Sequence, residues 1–244
     1  MRRIALITGG SRGIGAACVR LFAREGWTAV FLYRSREDKA AALVEELRAE
    51  GCDASCYRCD VADGQQVRDT VADILRLHHH IDALVNNAGV AHIGLLTDMS
   101  EEDWNTVFGV NVGGVFHVTQ AVLPGMISRR QGSIVNVSSM WGETGASCEV
   151  AYSAAKAAVI GFTRALAKEV GPSGVRVNCV SPGLIATDMN AELDETALRE
   201  LADETPLSRV GTAEEVAKAA LFLAGDGASF ITGQVLGVSG GLQI

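Results

Sequence analysis

The stretch Ile4-Ala-Leu-Ile-Thr8-Gly9-Gly10-Ser11-Arg12-Gly13-Ile14-Gly15 joins a short apolar run to a glycine-rich turn. Helical periodicity then follows from Ile14 to Glu25. Glycines permit a tight turn and let backbone N–H groups approach an anion at the N-terminus of the next helix. A glycine turn alone is weak evidence. Set between a strand and a helix, it points to a βαβ unit built to hold a pyrophosphate.

Working outward, the same alternation runs to the end of the chain. Strands are expected at Ile4–Thr8, Ala29–Tyr33, Ala54–Cys59, Ala83–Asn86, Ser133–Ser138, Arg176–Ser181 and Val235–Val238. Amphipathic helical stretches such as Ile14–Glu25, Lys39–Glu50 and Val67–Leu77 lie between them. Strands separated by helix-length segments predict a parallel sheet covered on both faces. The expected class is therefore α/β: a single-domain Rossmann fold over residues 1–244, with a seven-stranded doubly wound parallel sheet. No internal repeat or low-complexity linker interrupts it. One segment departs from the rhythm, from Leu184 to about Arg209, helical, charged and bracketed by Pro182 and Pro206. It follows a strand end, where open α/β sheets place their ligands, and is expected to be a substrate lid over about 184–209.

Composition narrows the class further. The chain has 244 residues, 48% hydrophobic and 20% charged, with 27 Gly and 4 Pro, which excludes disordered, collagen-like and disulfide-stapled chains. A formal charge of −8 argues against a nucleic-acid partner. The six cysteines show no paired pattern, and Cys56-x-x-Cys59 lacks a second ligand pair, so no metal is expected. Cys56 and Cys59 are read as strand residues, and His78-His79-His80 as a solvated helix end. No signal-like segment follows Met1, and no run approaches the roughly 18 apolar residues that span a bilayer. A cytoplasmic protein without a membrane partner is expected.

The second strand ends at Tyr33-Arg34-Ser35, about 20 residues past the glycines, where an NAD-preferring chain would place a carboxylate for the ribose hydroxyls. Arg34 stands there instead, and Arg12 in the glycine turn can converge on the same spot. Two guanidiniums suit a ribose 2′-phosphate by charge and by bidentate geometry, so the expected cofactor is NADP(H). Gly9, Ser11, Arg12, Gly13, Ile14 and Gly15 would hold the pyrophosphate, and Arg34 and Ser35 the ribose. Asp60 and Val61 would meet the adenine edge. Asn87, Ala88 and Gly89 would lie beneath the cofactor.

Tyr152 and Lys156 stand four residues apart in a helical stretch and so share one face. An ordinary tyrosine, with a pKa near 10, is a poor acid–base group, and a neighbouring ammonium is expected to lower that value. Ser139, at the end of the fifth strand, can hydrogen-bond a carbonyl oxygen. Ser138 stands beside it, and alternation along the strand sends the two hydroxyls to opposite sides. Asn111 is expected to hold water behind the lysine as a proton path.

Taken in order, T-G-x-x-x-G-x-G at 8–15, N-N-A-G at 86–89, Asn111, Ser139, Y-x-x-x-K at 152–156 and Pro182-Gly183 resemble the short-chain dehydrogenase/reductase family. The resemblance covers essentially the whole chain. It implies hydride transfer from a nicotinamide to a carbonyl carbon, with Tyr152 as proton donor and Ser139 polarising the oxygen. Lys156 would bind the ribose and Asn111 would anchor the relay. Pro182, Gly183, Ile185 and Thr187 would contact the nicotinamide end.

Within that family the chain is similar to bacterial 3-oxoacyl-acyl-carrier-protein reductases, which are NADPH-dependent and commonly homotetrameric. Arg129-Arg130 matches their carrier-gripping patch, with a helix C-terminal charge as the other reading. The second arginine of the patch is replaced by Ser173. The segment 139–152 carries Trp141, Glu143, Cys148 and Glu149, where acyl-carrier reductases are small and neutral. It looks like the reductases of the 5-aminopentanone modification on elongation factor P, whose ketone sits on a protein lysine and ends in an amine. Ser139, Trp141, Glu149 and Tyr152 are the expected substrate residues. Glu149 would be either a counter-charge or a helix N-terminal carboxylate. A free alcohol or sugar is a third substrate class. A non-catalytic dinucleotide sensor is the reading of a different class, and the full set Asn111, Ser139, Tyr152 and Lys156 argues against it. The small residues along Tyr152–Glu169 and the apolar C-terminus fit the homotetramer that the resemblance implies.

Overall fold

The structure is a computed structural model that describes residues 2–187 and 195–242. β1 (Ile4–Thr8) leads through the glycine turn into α1 (Gly13–Arg24), followed by β2 (Thr28–Tyr33), α2 (Glu37–Ala49), β3 (Ala54–Arg58), α3 (Gly64–His78) and β4 (Ala83–Asn86). The second half runs α4 (Glu101–Phe108), α5 (Gly114–Arg129), β5 (Gly132–Val137), α6 (Trp141–Thr144) and α7 (Val150–Val170). It ends with β6 (Val175–Pro182), α8 (Glu195–Glu204), α9 (Ala213–Ala224) and β7 (Val235–Val238). Each strand expected from sequence is present, with ends shifted by no more than one residue.

All seven strands pair in parallel, in the order β3-β2-β1-β4-β5-β6-β7. Alternation along β1 shows how the sheet is covered. Ala5 and Ile7 join a core with α1, α2 and α9, whereas Ile4 and Leu6 join one with α3, α5 and α7. Two-sided burial is what strands without polar alternation require. The chain order reverses between β1 and β4, and that switch point opens a crevice above the strand C-termini.

Caps fix several helix starts. Asp63 accepts from the N–H groups of Gln65 and Gln66 at α3, and Ser100–Asp103 and Thr212–Glu215 form capping boxes at α4 and α9. Two side-chain expectations change. His79 closes α3 in the left-handed conformation, but His80 is partly buried, 3.2 Å from Asp82, rather than solvated. Cys56 packs against the first core and Cys59 lies in the second, because three residues along a strand reverse the face. That geometry precludes a shared C-x-x-C site, and the described residues hold no cluster fit for a metal.

The helical run Glu101–Arg129 is long and apolar enough to cross a membrane by composition. Here it packs as a core element, with Val118, Val122 and Met126 fully covered by the sheet and α3. Residues 188–194 of the expected lid, and Gln243 and Ile244 of the apolar tail, lie outside the described residues.

Candidate active site

One cleft of about 720 Å³ runs along the C-terminal ends of the central strands. Its walls include every expected cofactor, substrate and catalytic residue except Gly15 and Asn111. Gly15 is instead pressed against the Gly9 carbonyl, where a Cβ has no room, and so fixes how α1 leaves the turn. The turn is tied to β4 from the other side: Thr8 Oγ1 accepts from the Asn87 and Ala88 N–H groups at 3.0 and 2.9 Å. Asn87 Nδ2 donates to the Thr8 carbonyl at 2.9 Å.

The nucleotide end is built for an anion. The first turn of α1 contains no acidic residue, unlike those of α2, α4 and α9, leaving its N–H dipoles uncompensated. Arg12, Arg34 and Arg36 line this end with Ser11 and Ser35. The Arg34 guanidinium makes no hydrogen bond or ion pair with any described residue, while its carbonyl accepts from Arg58 at 3.3 Å. Asp60 caps the local turn through Ala62 N–H at 3.0 Å, and Val61 closes the wall beside it. An uncompensated helix start and an unpartnered guanidinium in one cleft fit a phosphorylated dinucleotide.

At the opposite end, Tyr152 and Lys156 project from one face of α7. The Lys156 ammonium donates to the Val137 carbonyl at 2.9 Å and sits 5.5 Å from the Tyr152 ring centre. The expected lowering of the Tyr152 pKa is not what the protein shows. Burial pushes it up to about 12, opposed by a hydrogen bond with Ser139 and reinforced by the charge of Glu149. The ammonium is turned to a backbone carbonyl, and its own burial pushes the Lys156 pKa down to about 8.

The two serines separate as alternation predicts. Ser138 Oγ donates to the Lys156 carbonyl at 2.8 Å, holding α7 to β5, while Ser139 is left to the cleft and Tyr152. Asn111 occupies a π-turn, Gly109–Gly113, that interrupts the passage from α4 to α5. Both ends of its amide are committed to Val90, at 2.8 and 3.1 Å. Gly89 backbone fills the space between, since a Cβ there would lie 2.7 Å from Asn111 Oδ1 and 3.4 Å from Lys156 Nζ. Asn111 thus clamps the loop after β4 instead of lining the cleft.

Trp141 and Glu149 line the substrate end with Ile93, Met140, Leu184 and Leu201, the last three and Trp141 sharing one apolar cluster. Sequence reading passed over Ile93 and Met140, whose apolar character marks core and pocket wall alike, and reached Leu184 and Leu201 only as part of the expected lid. Pro182 and Gly183 carry the β6 end past the cleft, where Met140 N–H donates to the Pro182 carbonyl at 2.9 Å. Ile185 bridges to Gly211, and Thr187 approaches Gly13 of the turn. Glu143 is held by the Ser181 hydroxyl. Glu149 is the N-cap residue of α7, yet its side chain makes no cap hydrogen bond, and burial pushes its pKa up. Arg129 reaches the Ile81 carbonyl at 2.6 Å and Arg130 the Pro172 carbonyl at 3.0 Å, both at the opposite end of β5 from the cleft.

Comparison with known proteins agrees with this geometry. A family profile described as enoyl-(acyl carrier protein) reductase matches residues 9–243. A 3-oxoacyl-[acyl-carrier-protein] reductase of Thermotoga maritima is 45% identical over 242 residues, covering 99% of this chain and 98% of the relative. The enzyme of that name from Chlamydia trachomatis is 44% identical with the same coverage. The crystal structure of a 3-oxoacyl-[acyl-carrier protein] reductase from Brucella melitensis superposes with a TM-score of 0.93 at 38% identity, over 99% of this chain and 91% of that one. With its seven-stranded parallel sheet, its glycine turn and its Tyr152/Lys156 helix, the chain belongs to the short-chain dehydrogenase/reductase family.

Proposed function

We propose that the protein is an NADPH-dependent 3-oxoacyl-acyl-carrier-protein reductase, acting in the cytoplasm as a homotetramer in one domain spanning 1–244. The observation that carries the chemistry is a continuous cleft with arginines at one end and Ser139, Tyr152 and Lys156 at the other. Arg12 and Arg34 would hold a ribose 2′-phosphate, and the α1 N-terminus the pyrophosphate. The bound dinucleotide supplies the hydride that the carbonyl carbon accepts. Ser139 donates a hydrogen bond to the carbonyl oxygen, and Tyr152 gives that oxygen its proton as the C=O π bond becomes a C–O–H group. Lys156 would hold the nicotinamide ribose, and its ammonium would stabilise the phenolate left behind. Asn111 supports this end by fixing the loop at Val90. The segment 184–209 serves as the lid, its described part already placing Leu184 and Leu201 in the wall.

The 3-oxoacyl substrate is read from relatives of that name that are 44% and 45% identical and covered over 98% of their own length. A second reading rests on Glu149. A partly buried carboxylate without a cationic partner among the described residues, beside Trp141, suits a ketone ending in an ammonium. Such a group is the 5-aminopentanone carried on a protein lysine.

The test is NADPH oxidation by purified protein with a 3-oxoacyl thioester and, separately, with an amine-bearing ketone on a protein lysine. Fast turnover of the thioester, much slower with NADH, supports the first reading. Turnover of only the amine-bearing ketone moves the assignment to the second. Replacing Tyr152 with Phe is expected to abolish turnover while NADPH still binds, and retained turnover would refute the mechanism.

A further inference from the structure

Glu149 and Tyr152 are separated by less than one turn at the start of α7 and line the same wall of the cleft. Neither carboxylate oxygen of Glu149 has a hydrogen-bond or ion-pair partner among the described residues, so nothing there neutralises its charge. Glu149 is half-buried in the cleft, which Ile93, Met140, Trp141 and Leu184 also line. In such surroundings a charge is poorly screened and acts further than it would in water.

Among the described residues, the other charged groups around the cleft can be placed in turn. On α7 itself, the Lys156 ammonium donates to Val137 and lies 5.5 Å from the Tyr152 ring centre, a cation set against the Glu149 charge. On β6, Cys179 lies beyond Lys156 and Glu143 is taken by Ser181. The loop after β4 and the described lid contribute Ile93, Leu184 and Leu201, which carry no charge. Arg12, Arg34, Arg36 and Asp60 stand at the nucleotide end. From β5 the contact is the neutral Ser139.

We propose that Glu149 is a positioning residue for the proton of Tyr152: its negative charge opposes the phenolate and keeps the tyrosine in its proton-donating form into alkaline pH. This rests on the reductase reading for its consequence, but not for its cause. The direction agrees with Tyr152 itself, whose pKa burial pushes up and the Glu149 charge raises further. Reduction of a ketone needs the protonated tyrosine, and oxidation of the alcohol needs the phenolate. One charge therefore places the alkaline fall of reduction and the alkaline rise of oxidation at the same higher pH. Each unit of displacement changes the phenolate fraction about tenfold.

The experiment has two independent readouts on the full chain. The protein has only 3 tyrosines, so the phenolate absorbance of Tyr152 is isolated by subtracting the alkaline titration of Tyr152→Phe. Glu149→Gln, an isostere without charge, is expected to move that component to lower pH, while Glu149→Asp keeps it near wild type. The pH profiles of reduction and oxidation, measured with an uncharged ketone and its alcohol, are expected to move with it. If the Tyr152 component of Glu149→Gln coincides with wild type, the proposal is overturned, whatever the rates do. A component that moves in a protein reducing no ketone would support the proposal and refute the reductase reading.

Discussion

Lys156 is 4% exposed, donates to one carbonyl at 2.9 Å, and has its pKa pushed down to about 8 by burial. Tyr152, one turn earlier, is pushed up to about 12. Both shifts tie stability to pH. Between about 8 and the ordinary lysine value near 10.4, the unfolded chain holds a proton on Lys156 that the folded chain releases, so this group makes stability rise with pH. For Tyr152 the folded state holds the extra proton, and its contribution is lost as pH climbs from about 10 toward 12. Denaturant unfolding across pH 8 to 10 is expected to show wild type gaining on Lys156→Met. Parallel curves would show that Lys156 is not buried as described. Residue types in the sequence announced this pair, but not the direction of the tyrosine shift, which follows first from how deeply the phenol is buried.

At the scale of elements, α7 and β5 place the chemical groups, and the π-turn at Gly109–Gly113 places Asn111. The glycine turn and the Tyr-x-x-x-Lys spacing were legible because each is local. The π-turn was not, since Gly-Val-Asn-Val-Gly fits helical periodicity as well as the neighbouring turns do, and its widening is set by packing. Arg176 on β6 is another such case. Its guanidinium donates to the Leu223, Ala224 and Gly225 carbonyls at 2.7, 3.2 and 3.1 Å, closing the C-terminus of α9. Removing it takes the donor from the Ala224 carbonyl and leaves Leu223 to the Ser133 hydroxyl and Gly225 to the Ala228 N–H. Arg176→Met is expected to cost about 2 kcal/mol in equilibrium unfolding. A loss under a few tenths would show that water replaces it.

For the whole molecule, the sheet presents two edges, β3 and β7. Phe230 is fully exposed in the turn after α9, with Phe222 on α9 and Leu236 on β7 also open. An edge strand flanked by bare aromatics is a surface that a second copy would cover. Sedimentation is expected to find a tetramer, and Phe230→Asp to shift it to smaller species. A monomeric wild type would refute the assembly.

The order of residues made legible the alternation of strands and helices, the parallel sheet, the glycine-rich turn and the Tyr152/Lys156 spacing that reach one cleft. These rest on period, glycine placement and short spacings, all of which are local along the chain. Long-range packing alone leaves Glu149 without an ion-pair partner among the described residues, lets Asn111 clamp Val90, and turns Arg129 and Arg130 to backbone carbonyls away from the cleft. It also put Cys56 and Cys59 on opposite faces of the sheet. Those outcomes depend on which partners long-range folding brings within a few ångströms and how much water it leaves, and neither is written in the order of residues along one segment.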